Sequence, residues 1–127
     1  MREILFRGKR KDNGEWVEGL LTVDDFAFQG KGVERCHCIK SIPYDLGCSF
    51  VWTPVIPETV GQYTGLKDKH GKRIFEGDCI GHPLNVVEFM DGVFCVAGDR
   101  PLYTMNKHYE VVCNIHDNPE PLEAGNI

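Results

Sequence analysis

Two dipeptides that end in glycine, each set between alternating apolar and polar residues, most strongly constrain the fold of this 127-residue chain. Asn13-Gly14 and Asp91-Gly92 favour a type I′ turn, because both central residues of that turn need positive φ and its twist suits the flanking strands. Each therefore predicts a β-hairpin. No segment shows the apolar period of a convincing amphipathic helix. The sequence thus predicts a mainly β fold, a small, bent sheet of short strands with little helix.

The first turn predicts a definite strand register. A two-residue loop at Asn13-Gly14 places Asp12 opposite Glu15, and each further pair follows by counting outward. The later pairs are Arg10 with Val17, Gly8 with Gly19, Phe6 with Leu21 and Ile4 with Val23. One face is then apolar toward its far end. The other face pairs Lys11 with Trp16, Lys9 with Glu18 and Arg7 with Leu20, and we expect it to face solvent.

The second turn predicts a more apolar hairpin. A loop at Asp91-Gly92 pairs Met90 with Val93, Phe89 with Phe94, Glu88 with Cys95 and Val87 with Val96. Both faces are then largely apolar, which is typical of strands covered on both sides. We expect this hairpin to be the most buried, in a central or inter-subunit position.

Other turn and boundary signals complete the expected architecture. Lys69-His70-Gly71 predicts a three-residue loop with Gly71 in the left-handed conformation. Pro54 and Pro57 cannot donate to a sheet ladder, so their segment is an edge strand or a connector. Pro101 favours a short turn of helix after Arg100. We expect one domain over residues 1–127: an N-terminal hairpin and variable middle (1–56), a core motif and hairpin (57–116) and a tail (117–127).

Composition limits the class of protein. With 42% hydrophobic and 26% charged residues, the chain is typical of a globular domain that folds alone. A net charge of −5 argues against a surface that binds nucleic acid all over. The sequence offers neither a signal peptide nor an apolar stretch that spans a bilayer, so we expect a cytoplasmic protein without membrane contact. Its six cysteines are then thiols.

Signals for catalysis and for metal binding are weak. Neither Ser41 nor Ser49 lies in a Gly-x-Ser-x-Gly turn, and "QGKGVERC" lacks the third glycine of a dinucleotide-binding loop. Cys36 and Cys38 share a strand face and could bind metal with Cys48, but alternating cysteines are more typical of a β-strand.

The acidic residues of the central motif have the same two interpretations. Glu76 and Asp78, with Asp68 and His70 at the nearby turn, could form an acid–base or metal site. The simpler interpretation is that they cap turns. We therefore predict no catalytic residue, metal or cofactor.

Basic residues cluster at two of the predicted hairpin turns. Eight of the 14 Lys and Arg residues lie there: Arg7, Lys9, Arg10 and Lys11 at the first turn, and Lys67, Lys69, Lys72 and Arg73 at the second. One hypothesis is that Lys9, Arg10, Lys69 and Lys72 contact nucleic-acid phosphates while Trp16 or Phe75 stacks on bases. The simpler interpretation is that these charges solvate hairpin tips and protect strand edges.

The stretch "PETVGQYTGLKDKHGKRIFEGDCI", residues 57–80, resembles the YopX family of small phage and prophage proteins. The termini "MREILFRGKRKDNGEWVEG" and "YEVVCNIHDNPEPL" are similar to the two ends of that family, whereas residues 21–52 match little of it. The resemblance implies a mainly β fold with an SH3-like barrel, a phage or mobile-element origin, homo-oligomers and no assigned catalytic residues. In that motif it implies a hairpin turn at His70-Gly71, a core position at Phe75 and a strand that starts at Gly77-Asp78.

Two functions remain open from the sequence. The first is a phage-derived, non-enzymatic β-domain in the cytoplasm of the bacterial host, which acts by self-assembly or by binding a protein partner. The alternative is a nucleic-acid-associated module that uses the basic hairpin tips. The segment "DDFAFQGKGVER", residues 24–35, could be a lid, an extra hairpin or a disordered loop.

Overall fold

The computed structural model describes residues 3–28, 32–41 and 51–117. These residues form strands joined by tight turns, with two single-turn 3-10 helices at Pro57–Thr59 and Leu102–Thr104. The strands are β1 (Phe6–Lys9), β2 (Trp16–Phe28), β3 (Gly32–Ser41), β4 (Val51–Pro54), β5 (Gly61–Lys67), β6 (Arg73–Phe75), β7 (Asp78–Ile80), β8 (Val87–Met90), β9 (Val93–Val96), β10 (Arg100–Pro101) and β11 (Val111–Asn114). Of the predicted tail at 117–127, only Asp117 is among them.

The chain separates into two compact units. One comprises Ile4–Gln62, and the other holds Glu3 and the residues from Tyr63 onward. The division falls inside β5. Within the described ranges, no helix is long and apolar enough to cross a membrane.

The N-terminal unit is an antiparallel sheet in the order β4-β3-β2-β1. β2 and β3 form its longest hairpin, paired from Leu20 with Lys40 to Phe28 with Gly32. Of the three structures left open by the sequence for residues 24–35, the pairing of the described residues 24–28 and 32–35 agrees with an extra hairpin. β4 lies at the sheet edge and ends at Pro54, as predicted.

The predicted register of the first hairpin is wrong by two residues. Phe6 pairs with Gly19 and Lys9 with Trp16. The loop has four residues, because Arg10 N–H donates to Glu15 O at 2.8 Å and Gly14 N–H donates to Arg10 O at 3.0 Å. Only Gly14 of the dipeptide has positive φ, at 74°. A shift of two preserves which residues share a face.

The face of this hairpin that we expected to lie in solvent is partly buried. Arg7 is buried, with its guanidinium carbon 4.5 Å from the centre of the Trp16 ring. Lys9 Nζ lies 5.5 Å from the same ring. The indole therefore packs beneath two cations, and their aliphatic stems cover apolar surface.

The interior of the N-terminal unit depends on close backbone approach. Among its described residues, the buried apolar ones are Cys36, Cys38, Ile39 and Val55. Gly8 packs against the Val55 side chain, and a Cβ at Gly19 would collide with the backbone oxygen of Lys40. Larger side chains at these two glycines would hold the strands apart.

The C-terminal unit encloses a compact apolar cluster. Its fully packed members are Ile74, Ile80, Val87, Val96, Leu102 and Met105. β7 pairs with β11, β9 lies between β8 and β10, and β5 pairs with β6. The three-residue loop at 69–71 is confirmed, because Asp68 N–H donates to Lys72 O at 2.8 Å and Gly71 has a φ of 83°.

The prediction of a mainly β fold is confirmed, and so is the short turn of helix that follows Arg100. The pairings among the described strands leave open sheets with free edges. The SH3-like barrel that the family resemblance implies is therefore not confirmed.

Candidate functional site

The β8–β9 hairpin has the turn and the register that the sequence predicts. Asp91 and Gly92 both have positive φ, 52° and 81°. The four predicted pairs are all present: Val87 with Val96, Glu88 with Cys95, Phe89 with Phe94 and Met90 with Val93. Because the loop has only two residues and the correct turn chemistry, the register has no freedom to slip.

The burial predicted for this hairpin is wrong at its tip. Val87 and Val96, at the base, are buried in the apolar cluster. Beyond them, Phe89 is 53% exposed, Met90 40% and Val93 42%. The strands are four residues long, so the hairpin extends past the cluster, which covers only the base. Three large apolar side chains are thereby presented to solvent around one turn.

An aromatic pair stiffens the exposed tip. The rings of Phe89 and Phe94 lie 5.0 Å apart between centroids, at an interplanar angle of 52°. Such tilted pairs are worth about 0.5–1.5 kcal/mol beyond the area they bury. Phe94 also packs against the apolar cluster, so it anchors Phe89 to the unit's interior.

β8 is an edge strand, and part of its outer edge is open. A two-residue loop makes Met90 and Val93 a closely hydrogen-bonded pair, so the backbone N–H and C=O of Phe89 point away from β9. The outer edge of β8 is paired at its start, where Val87 O accepts from Gly77 N–H at 2.9 Å. In the described part of the chain, the pairings on that edge end there. An open, apolar edge of this kind can accept another strand.

The structure places the four predicted phosphate-contacting residues in two different units. Lys9 and Arg10 lie at the end of β1, in the N-terminal unit. Lys69 and Lys72 lie on the turn between β5 and β6, in the C-terminal unit, and both are exposed.

Arg10 is already engaged within its own turn. Its Nε and Nη2 donate to Asp12 at 3.0 and 2.8 Å. Hydrogen bonding to this carboxylate, with its charge, raises the pKa of Arg10, and hydrogen bonding to the guanidinium lowers the pKa of Asp12. The pair neutralises part of the positive charge that the sequence placed at this tip.

Of the two residues predicted to stack on bases, Phe75 is not accessible for stacking. Phe75 is buried and packs against Tyr63, with 5.5 Å between ring centroids. Its burial agrees with the core position that the resemblance implies, and it excludes base stacking in this structure. Trp16 is half-buried and lies beneath Arg7 and Lys9.

Asp68 organises the turn that carries Lys69 and Lys72. It accepts from the backbone N–H groups of His70 and Lys72 at 2.9 Å each and of Val111 at 3.0 Å. Burial acts to raise the pKa of Asp68, but these hydrogen bonds outweigh burial, and the pKa lies below its usual value. Asp68 is therefore a structural carboxylate, as the turn-capping interpretation proposes.

Asp78 has a similar role at the next turn. Its Oδ2 accepts from Phe75 N–H at 2.8 Å, and the residue is 1% exposed. Cys36 and Cys38 share a face, as predicted, with 3.5 Å between the sulfurs. The described residues contain no group of three or more His, Cys, Asp or Glu placed to hold a metal ion. Cys48, the third ligand of the hypothetical metal site, lies outside the described residues.

Sequence reasoning identified the β8–β9 hairpin but missed the exposure of Phe89, Met90 and Val93. The length of the strands could have predicted this exposure, because an apolar residue directly beside a turn is distant from the base of a four-residue strand.

Comparisons with known proteins agree with this fold. A sequence model of the YopX protein family matches residues 5–123. The structure is similar to the crystal structure of protein EF1440 from Enterococcus faecalis, with a TM-score of 0.54, 21% identity and coverage of 96% of this chain and 99% of that chain. A comparison with curated proteins gives no significant match. The structural likeness supports the fold alone.

Proposed function

The chain belongs to the YopX family, and from that premise we propose that it is a phage-derived, non-enzymatic β-protein that works by assembling with a second copy of itself through the β8–β9 hairpin. The observation that carries the proposal is the exposure of Phe89, Met90 and Val93 around the tip of a hairpin whose base is anchored in the core. Monomeric proteins rarely leave such a group of large apolar side chains in water without a use for it.

The open edge of β8 supports a self-complementary contact. If β8 pairs antiparallel with β8 of a second copy, a two-fold axis at Phe89 lets its outward N–H and C=O exchange hydrogen bonds with the same groups of the copy. That register places the two Phe89 rings side by side and each Glu88 opposite a Met90. The like charges are then kept apart, which favours this register over one that places Glu88 opposite itself.

The test is the oligomeric state of Phe89→Asp. Phe89 is a better position than Phe94, because Phe94 packs against the core and its replacement could unfold the unit. We expect the wild-type chain to be a homo-oligomer by native mass spectrometry and light scattering. Phe89→Asp should be a folded monomer, since the new carboxylate would lie beside the same carboxylate of the second copy at the two-fold axis, and the two charges would repel.

Val33→Asp is the matched control, because Val33 is 71% exposed on β3, in the N-terminal unit. It should keep the wild-type mass. A monomeric wild-type chain, or a Phe89→Asp chain with the unchanged oligomer, would contradict the proposal. A monomer that captures another protein through the same residues would replace self-assembly with a partner interface.

A second candidate function, nucleic-acid association, is favoured by the exposure of Lys69 and Lys72 on a rigid turn. Contacts with phosphate would make the affinity fall steeply as salt is added. Changing Lys9, Arg10, Lys69 and Lys72 to Glu should then abolish binding to a labelled single-stranded oligonucleotide, whereas Lys107→Glu should not. Binding that is insensitive to salt and to the four changes would exclude this function.

A further inference from the structure

Cys79 and Cys113 face each other across the β7–β11 pair, where the register makes them direct partners. Ile115 N–H donates to Gly77 O at 3.0 Å, just beyond the Asn114–Asp78 pair of the same ladder. Residues directly opposite each other in an antiparallel ladder have Cα atoms about 4.5–5.5 Å apart, and this range applies to Cys79 and Cys113. Disulfides have Cα separations of about 4.4–6.8 Å, so the two cysteines are within the range of a disulfide.

The two thiols differ in access to solvent. Cys79 is fully buried, whereas Cys113 is half-buried at the edge of the same pair. Burial, followed by the hydrogen bond with the Cys113 thiol and the charge of that group, raises the pKa of Cys79 to about 12. A soluble reagent therefore reacts with Cys113 first, while Cys79 remains a buried, protonated thiol.

The other close pair of cysteines lacks this combination. Cys36 and Cys38 are two residues apart on one strand, a spacing of about 6.6 Å that is close to the upper limit for a disulfide. Both are buried, at 6% and 0% exposure, so neither offers a first point of attack. The chain thus carries an internal control for the effect of geometry and access.

We propose that Cys79 and Cys113 are a thiol modification site, a dithiol that a low-molecular-weight disulfide such as glutathione disulfide converts into a cross-strand disulfide. The site lies between β7 and β11, and neither cysteine belongs to the β8–β9 hairpin that carries the interface proposed above. All five described cysteines are thiols in this structure, so the structure shows the reduced state.

The reaction proceeds by two successive exchanges. The Cys113 thiolate attacks one sulfur of glutathione disulfide, the bond between the two glutathione sulfurs breaks, and one glutathione leaves as a thiolate that takes up a proton. Cys79 then loses its proton and attacks the Cys113 sulfur, which releases the second glutathione. The two cysteines together lose two electrons and two protons, and glutathione disulfide gains them as two molecules of glutathione.

The second exchange is intramolecular, and in it Cys79 must deprotonate inside the unit. Once Cys113 is in a mixed disulfide it no longer carries a thiolate charge, so one of the causes that disfavour the Cys79 thiolate disappears. Proximity assists further, since the reacting sulfurs are already held together by the strand pairing. The mixed disulfide is therefore a short-lived intermediate in the wild-type chain.

The experiment exposes the reduced, full-length protein to a series of ratios of oxidised to reduced glutathione. After an acid quench, free thiols are alkylated under denaturing conditions and mapped by peptide mass spectrometry. We expect alkylation of Cys79 and Cys113 to be lost together, with the two peptides linked and no lasting glutathione adduct. Cys36 and Cys38 should stay alkylated at the same ratios.

Two variants separate the roles of the thiols. Cys79→Ser should accumulate a stable glutathione adduct on Cys113, because the resolving thiol is gone. Cys113→Ser should leave Cys79 unmodified, and this variant removes only a half-buried sulfur, so the fold should be retained. A lasting adduct on Cys113 in the wild-type chain, a link from Cys113 to Cys48 or Cys95, or continued alkylation of both residues at every ratio would each overturn the proposal.

Discussion

The two units of this protein are stabilised in different ways. Among its described residues, the N-terminal unit, Ile4–Gln62, buries few apolar side chains, and it brings backbones together at glycines, as where Gly19 meets Lys40. The C-terminal unit packs an apolar cluster around Ile80 and Leu102. It also buries polar side chains that hydrogen-bond to the backbone of its turns, chiefly Asp68 and Asp78.

The difference shows that similar β-hairpins can depend on different interactions. In a sheet of long, continuous strands, strand pairing itself supplies the hydrogen bonds of the backbone. The stability of such a sheet therefore depends most on how closely its strands can approach each other. A unit whose strands are mostly two to four residues long has many turns, whose N–H groups need side-chain acceptors. We therefore expect the C-terminal unit to lose stability when core side chains are shortened or turn carboxylates are removed. The N-terminal unit should lose stability when side-chain volume is added.

The largest effect should come from removing core volume in the C-terminal unit. Ile80→Ala should lower the free energy of unfolding by about 2–5 kcal/mol, because a fully buried branched side chain leaves a cavity. Ile4→Ala makes the same chemical change in the N-terminal unit at a position that is 56% exposed, and should cost about 0.5 kcal/mol or less. Urea denaturation of both variants measures the contrast, and equal losses would remove the distinction.

The next effect concerns the carboxylate of Asp68. Asp68→Asn should cost about 1.5–3 kcal/mol at neutral pH, because hydrogen bonds to a charged acceptor are weakened or lost. The folded-state pKa lies below the usual 3.8, so the ionised group stabilises the fold above about that pH, and this contribution is lost as the pH falls toward the folded-state pKa.

Denaturation midpoints between neutral and acid pH test this second prediction. Asp68→Asn should flatten the acid part of the profile. Asp99→Asn removes the same charge from an exposed position and should leave the profile unchanged. An Asp68→Asn profile that keeps the wild-type acid slope would show that other carboxylates cause it.

The smallest expected loss of stability comes from substituting glycines of the N-terminal unit, where two positions distinguish added side-chain volume from backbone strain. Gly19→Ala should cost about 1–3 kcal/mol, because the new methyl group meets the Lys40 carbonyl oxygen and the strands must move. Gly14→Ala meets open space and costs only the strain of a positive φ at a residue with a Cβ, about 1 kcal/mol. Thermal unfolding of both shows the order, and a greater loss at Gly14 would reverse our view of this unit.

The sequence predicts local geometry where a turn leaves only one choice. At Asp91-Gly92 both residues adopt positive φ, and all four strand pairs follow from that. At Asn13-Gly14 the same type of signal fails, because Asn13 Oδ1 accepts from Glu15 N–H at 2.9 Å and the loop widens to four residues. A side chain that can bond to the backbone of its own turn competes with the type I′ geometry.

Properties that depend on distant residues were beyond the sequence. The exposure of Phe89 depends on where the apolar cluster ends. The structural role of Asp68 depends on Val111, which is 43 residues away. The first basic tip shows a different limit, at short range: pattern alone does not reveal that Asp12, two residues away, engages Arg10.

The hydrogen bond from Val111 to Asp68 has a consequence for biosynthesis. The ribosome releases the Asp68 turn long before β11, so a nascent chain holds this carboxylate with only its two local N–H donors. Arrival of β11 supplies the third donor and pairs Cys113 with Cys79 at the same time. Closure of the C-terminal unit therefore waits until β11 has been synthesised, and the hairpins of the N-terminal unit are complete in sequence before then.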